Sequence, residues 1–315
     1  MKSINEVVIA LGLGWILICA GSATAQVAHF QKHPELSAMM NARKFESVIG
    51  SCTKIIAANP NDDEALYFRA AAEFNINADR LGDQALQDIN RAIMLHPNQA
   101  PYLCVKAKIL HQAQEDSDAL TAIQTACRLE PKRSSPWLLQ ADILLPLRQY
   151  DNAIECAKKS EKLDGQIMPG AEQIIARALM AQSHFDAAIQ HITAALKFDP
   201  TSVFYRTDRI RAAQRTRQWD LVITDTSYVL SALPSNKTAK PTQAIDYYHM
   251  RAQAYTSLKQ YSQALSDYDR AIKLAPDIRE LHVEAYHVAT LIADKQRMQK
   301  ERTYLERFDR DFQPF

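Results

Sequence analysis

The chain has 315 residues, 37 of them basic and 36 acidic, so a formal net charge of +1 lends a nucleic-acid partner no support from bulk electrostatics. Of its seven glycines, Gly12, Gly14 and Gly21 fall in an apolar leader, leaving Gly50, Gly82, Gly165 and Gly170. Those four cannot build a glycine-rich phosphate cradle, a dinucleotide fingerprint or a nucleophile elbow.

Residues 1–25 read as a signal peptide. Lys2 gives a weakly basic start that Glu6 partly cancels, the apolar run Val7 to Ala20 is short for a bilayer, and Ala23-Thr24-Ala25 offers a small-x-small cleavage site before Gln26. Bulky Ile18 before Cys19 argues against a lipoprotein. The expectation is export to a bacterial periplasm with no membrane span left after cleavage; the alternative is an uncleaved amino-terminal anchor with the repeats in the periplasm. About 290 residues (315 minus 25) then remain, more than one bundle needs and natural for a stack of similar units.

A proline recurs at Pro60, Pro97, Pro131, Pro200, Pro234 and Pro276, with Gly165 where another would stand. The strides are 37, 34, 69 (two strides meeting at Gly165), 34 and 42 residues, and a period of about 34 marks helix-turn-helix solenoids. Twelve residues before each marker stands a small side chain: Val48, Ala85, Ala119, Ala153, Ala188, Val222 and Ala264. Seven residues later come Ile55, Ala92, Ala126, Ser160, Ala195, Val229 and Ala271, close to two helical turns on and so on one buried face. Fifteen before the marker a ring recurs as Phe45, Tyr150, Phe185, Trp219 and Tyr261, interrupted by Gly82 and Asp116.

These columns resemble the tetratricopeptide repeat family over roughly residues 35–293, most clearly in 247–276, "YYHMRAQAYTSLKQYSQALSDYDRAIKLAP". The resemblance implies an all-α, right-handed superhelical solenoid of tandem helix-turn-helix repeats, about seven helix pairs in all. The expected division is a degenerate first repeat at 26–60, about six repeats over 61–276, and a helical cap at 277–315. Three extra residues near Asn75–Gly82 and an inserted loop near 235–243 fall between helices, where a solenoid tolerates them.

Overlaying the units reveals a paired column. Arg69, Arg209 and Arg251 share one place in the first helix, and Asp88, Asp225 and Asp267 share one in the second. Units with Lys106, Gln140 and Ile175 at the arginine place carry Ala122, Cys156 and His191 at the aspartate place. The covariation predicts an intra-repeat salt bridge in three units.

Chemistry-bearing clusters are sparse. Cys52, Cys104, Cys127 and Cys156 have no metal-motif spacing; the expectation is free thiols, with Cys104 and Cys127 the pair to watch in an oxidising compartment. His29 and His33 are four apart, but Pro34 restrains His33 from helical geometry. His282 and His287 are five apart and diverge by about 140° around a helix. No catalytic residue, cofactor site or metal site is assigned, and a non-enzymatic protein is expected.

In the resembled family the concave side is lined by the first helix of each unit. Registration on the prolines puts Tyr67, Phe74, Cys104, Leu138 and Leu145 there in an apolar amino-terminal half. Arg177, Thr207, Arg211, Gln214, Arg215, His249, Gln253, Glu284 and His287 occupy the same places in a polar, basic half. The family's lysine-asparagine carboxylate clamp is not reproduced, because the corresponding places hold Tyr67, Ala71, Cys104, Lys108, Leu138 and Asp142. "RTDRIRAAQRTR" (206–217) is the one conspicuous charge cluster, and Arg211 and Arg215 share a face that could receive an acidic group. The implied function is a protein-protein interaction scaffold of the cell envelope, holding a peptide or protein in its groove, with no nucleic acid. The alternatives are an accessory subunit of a separate enzyme, or a binder of an anionic polymer through the arginine face. Leu305, Phe308 and Phe312 give the last stretch one apolar side, as a cap needs, and Asn236-Lys237-Thr238 matches a glycosylation acceptor.

Overall fold

The computed structural model describes residues 32–76, 83–233 and 241–308. The leader 1–25, His29, Gly82, the inserted segment as far as residue 240 with its Asn236-Lys237-Thr238 pattern, and Phe312 lie outside the described residues.

Among the described residues there are sixteen helices and no strand. The first helices of the units are α1 (Pro34–Asn41), α3 (Asp63–Ile76), α5 (Ala100–Gln112), α7 (Ser134–Leu144), α9 (Pro169–Ala181), α11 (Val203–Arg215), α13 (Pro241–Ser257) and α15 (Arg279–Leu291). The second helices are α2 (Phe45–Ala58), α4 (Asp83–Leu95), α6 (Asp116–Leu129), α8 (Tyr150–Asp164), α10 (Phe185–Phe198), α12 (Trp219–Ala232), α14 (Tyr261–Leu274) and α16 (Lys295–Phe308). That makes eight first-and-second alternations where about seven are expected with the degenerate first and the cap counted in, because seven pairs already fill Pro34 to Leu274 and α15 with α16 adds the eighth. Pro241, Thr242 and Gln243, expected in an inserted loop, form the first turn of α13, where a proline's missing N–H has no helical partner to lose.

The chain divides into two compact units at Gln182 and Ser183, inside the stretch that the repeats fill. In the first unit, α1 to α9, helices adjacent in sequence pack on each other, and first helices also meet first helices (α1 with α3, α3 with α5, α5 with α7, α7 with α9). In the second unit, α10 to α16, each helix packs on the next in chain order. Both units are thus built from near neighbours in sequence, the contact pattern of a helical-repeat stack.

The small-residue columns form the seam between helices. Val48, Ala119, Ala153, Ala188, Val222 and Ala264 have no exposed surface, nor do Ala92, Ala126, Ala195, Val229 and Ala271. Ser160, the polar member of the second column, donates its hydroxyl to the Ser134 carbonyl at 2.9 Å, which satisfies it inside the seam. A larger side chain at these places would push helices apart, a cost of about 1–3 kcal/mol in a packed core. Phe45, Tyr150, Phe185, Trp219 and Tyr261 each open a second helix and are half-buried.

Turns between the first and second helices share one backbone device. Arg43, Gln114, Arg148, Ser183, Arg217, Lys259 and Ala293 all have φ between 55° and 65°, a left-handed conformation in which a Cβ crowds the following carbonyl. Each stands two residues before a second helix. At Lys259 the flanking amides close the turn, Lys259 N–H onto Thr256 O at 3.0 Å and Gln260 N–H onto Tyr255 O at 2.8 Å. Gly165 (φ 76°) instead caps a second helix, α8, which explains why glycine replaces the recurring proline there.

Candidate partner-binding faces and the ion pairs beneath them

The arginine and aspartate columns meet as two-pronged ion pairs. Arg69 Nε donates to Asp88 Oδ2 at 2.6 Å and Nη2 to Oδ1 at 2.8 Å. Arg209 reaches Asp225 at 2.7 and 2.8 Å, and Arg251 reaches Asp267 at 2.7 and 2.8 Å. Each guanidinium fork matches a carboxylate edge, which a lysine ammonium could not do. Two of the arginines also tie in the preceding second helix: Arg209 Nη1 donates to Thr193 at 3.1 Å and Arg251 Nη1 to Ser227 at 2.8 Å. Arg206, one turn before Arg209, adds a third contact to Asp225 at 2.9 Å and lies over the Tyr228 ring at 3.8 Å.

The last pair solves the same problem with different residues. Glu301 stands 34 residues after Asp267, at the aspartate place, while the arginine place holds Ala285. The cation comes instead from the second helix: Arg297 Nε lies 2.8 Å from Glu301 Oε1, and its Nη1 pairs with Asp269 of α14. His282 of α15 completes the site, with Nδ1 at 2.5 Å from Glu301 Oε2. The 34-residue step from Asp267 to Glu301 was the available signal for this site, and following the arginine column alone hides it.

In the first unit, Tyr67 and Leu138 are buried, at 7% and 5% exposure, and belong to the core. Tyr67 stacks on Tyr102 with ring centroids 5.1 Å apart. Phe74 and Cys104 are half-buried against separate core clusters, and Leu145 lies just past the end of α7, half-buried beside Leu138 and Leu144. Tyr102 donates its hydroxyl to the buried Asp63 at 2.6 Å, a polar contact inside the core rather than on a face. His111 of α5 sits between two carboxylates on the flanking helices, Asp116 at 2.5 Å and Asp142 at 3.6 Å. Burial lowers its proton affinity, but the Asp142 and Asp116 carboxylates more than reverse this, and its pKa stands at about 9. Cys52, Cys127 and Cys156 are free and buried, so no bridge joins Cys127 to Cys104. Burial pushes the Cys52 thiol up to about 12. On α9, Arg177 is exposed.

In the second unit the first helices carry a linked polar face. Thr207 of α11 and Tyr247 of α13 share a hydroxyl contact of 2.9 Å. Glu284 of α15 accepts from His249 Nε2 at 2.7 Å, Tyr268 hydroxyl at 2.7 Å and Gln253 amide at 3.1 Å. With Nε2 donating to Glu284 it cannot also accept from Gln253, so the network assigns His249 the proton on Nε2. Burial would raise the Glu284 pKa, but donation from His249, Tyr268 and Gln253 holds it below the usual glutamate value. His249 and Glu284 still expose 29% and 32% of their side chains. Arg211 is exposed and leans on Asp208 at 3.2 Å, and Arg215 lies 5.2 Å from the Phe185 ring centre. Gln214 is half-buried and His287 exposed. Of the expected polar lining, His249, Gln253 and Glu284 are thus drawn into one cluster, while Arg211, Arg215, Gln214 and His287 stand apart from it. Tyr268, on Glu284, and Tyr247, on Thr207, are contacts that registration on the first-helix places did not reach.

Among the described residues no three His, Cys, Asp or Glu side chains gather as a metal-holding group, and no helix is long and apolar enough to cross a membrane.

Residues 134–167 and 245–278 each match a family model described as "Tetratricopeptide repeat". The chain carries tetratricopeptide repeats. Solved structures with this fold include the C-terminal part of a repeat protein from Cytophaga hutchinsonii, 15% identical, covering 79% of this chain and 98% of that one at a TM-score of 0.57. A repeat protein from Parabacteroides merdae is 13% identical, with coverages of 79% and 94% and a TM-score of 0.54. YrrB, described as a tetratricopeptide-repeat protein with an unusual peptide-binding site, is 16% identical, with coverages of 61% and 95% and a TM-score of 0.50. At these identities the likeness establishes the fold alone. No curated protein matches the chain.

Proposed function

We propose that this repeat protein is a non-enzymatic scaffold of the cell envelope that holds a peptide or protein against the first-helix faces of its units. The observation that carries the reading is the half-exposed polar surface of α11, α13 and α15: an exposed guanidinium on Arg211, an exposed His287, and a Glu284 carboxylate fixed by three donors. Glu284, held by three donors, and Arg211, paired with Asp208, are oriented before any partner arrives, which lowers the ordering cost of binding. Peptide recognition described for YrrB supports the class of partner. Export through residues 1–25 and a capping role for α16 belong to the same reading; α16 shows solvent a face of Lys295, Gln299, Arg302, Thr303 and Glu306, as a terminal unit requires.

The test is a peptide-library screen on the purified protein, repeated with Arg211→Glu plus Arg215→Glu at two salt concentrations. Loss of binding to acidic peptides that deepens at low salt is the expected result. Unchanged affinity at both concentrations would refute the arginine face as a contact. Mass measurement of the protein recovered from its own cells should give a chain starting at Gln26, and a retained leader would favour the anchor.

A further inference from the structure

Resting on the peptide-holding function proposed above, we infer that the face of α11, α13 and α15 is bipolar: it takes a peptide with an acidic residue for Arg211 and Arg215 and, a few residues away, a lysine or arginine for the oxygens around Glu284.

The three helices present one continuous surface. Thr207, Arg211 and Arg215 are four apart and share a stripe of α11, while Asp246, His249 and Gln253 are three and four apart and share a stripe of α13. The hydroxyl contact of Thr207 with Tyr247 joins α11 to α13, and the bonds of His249 and Gln253 to Glu284 join α13 to α15.

The hydrogens of this network are spent inward. Thr207 gives its one hydroxyl hydrogen to the Val203 carbonyl at 2.9 Å, so Tyr247 is the donor in their contact and its oxygen keeps only lone pairs. Tyr268 donates to Glu284 Oε2. Gln253 turns its amide nitrogen to both Glu284 oxygens, at 3.1 and 3.4 Å, which sends its amide oxygen away from the carboxylate. Glu284 Oε1 receives Gln253 alone, on a side chain 32% exposed. Asp246 is exposed on one side, and desolvation raises its pKa against the pull of His249. It has lost water without gaining a hydrogen-bond donor among the described residues. Outward, then, α13 and α15 offer oxygen lone pairs, and the complement is a group that only donates, an ammonium or a guanidinium. One helix away the polarity reverses. Arg211 and Arg215 are exposed and can only donate, and the Asp208 contact at 3.2 Å still leaves 47% of the Arg211 side chain open.

The separation of the two ends follows from helix geometry. Asp246 stands beside Tyr247 and so is nearly level with Thr207, from which Arg211 and Arg215 lie about 6 and 12 Å along α11. With about 10 Å between the helices, the ends are about 12–16 Å apart. An extended chain covers that in about four or five residues.

Fluorescence anisotropy of the full chain with labelled synthetic peptides tests this. Each probe carries an aspartate pair and a lysine pair in a Gly-Ser background, separated by about two, four to five, or eight residues. All-aspartate and all-lysine peptides are the controls. The middle spacing should bind about tenfold tighter than the all-aspartate control, the size of one charge-assisted hydrogen bond. Asp246→Lys, which breaks no internal bond, should erase that gain without weakening the all-aspartate control, and Glu284→Gln should reduce it. All-aspartate peptides that bind as tightly as the mixed ones, or a gain that survives Asp246→Lys, would overturn the bipolar face and leave the peptide-holding function standing. Binding by none of the probes also overturns it, and the broader library screen then decides that function by itself.

Discussion

Asp225→Ala is the sharpest perturbation of this architecture, because Asp225 has no exposed surface and accepts three hydrogen bonds from two guanidiniums. Removing the carboxylate strands Arg209 and Arg206, whose side chains are only 12% and 14% exposed. Breaking one partner of a buried pair costs about 3–5 kcal/mol. Here the arginines keep other contacts: Arg209 retains Thr193, and Arg206 retains the Pro200 carbonyl and the Tyr228 ring. The expected loss is therefore smaller, about 2–4 kcal/mol. The assay is urea denaturation followed by helical circular dichroism and by fluorescence of Trp219, which opens the same helix as Asp225. The companion variant Arg209→Met plus Asp225→Leu removes both members of the main fork and should recover much of the loss, since apolar replacements of buried pairs are often neutral. A loss under about 1 kcal/mol in Asp225→Ala would refute the claim that burial, rather than mere proximity, gives these pairs their weight.

Three further outcomes follow from the same coordinates. Lys259→Gly should stabilise by up to about 1 kcal/mol, because the left-handed cost of a side chain at φ 60° exceeds the added freedom of glycine in the unfolded chain; destabilisation in urea would contradict this. His111, with a pKa of about 9 against an ordinary 6.5, contributes stability that is complete below pH 6.5 and lost as pH climbs through 9. Denaturation curves at pH 6 and 9.5 should differ by on the order of 2–3 kcal/mol, a gap that shrinks in His111→Gln. Cys52, fully buried and pushed up to about 12, should resist alkylation at pH 8 in the folded protein and react once the chain is unfolded; rapid labelling of the native state would place it at the surface instead.

Repetition made the local plan of this chain legible from its letters. A small residue recurring twelve and five positions before each proline marks helix faces that must touch, and Ala119, Ala153 and Ala188 are completely buried as such contact demands. The arginine and aspartate columns were readable for a similar reason, since two places that change together across units report a contact repeated in space. Side-chain reach was not readable. Tyr67 and Leu138 occupy first-helix places that face outward by register, yet a tyrosine ring at 5.1 Å from Tyr102 and a leucine in a packed cluster turn inward, because rotamers and neighbouring bulk decide direction after the backbone is set.

Periodicity alone thus determined the all-helical build, the order of packing and the position of the seam, because each depends on residues a few dozen apart that recur in kind. Tertiary structure alone decided the division at Gln182, the joining of His249, Gln253 and Tyr268 on Glu284, and the substitution of Arg297 and His282 for a missing arginine in the last pair. Those arrangements depend on which atom of a long side chain ends beside which other, and a linear spacing carries no record of it.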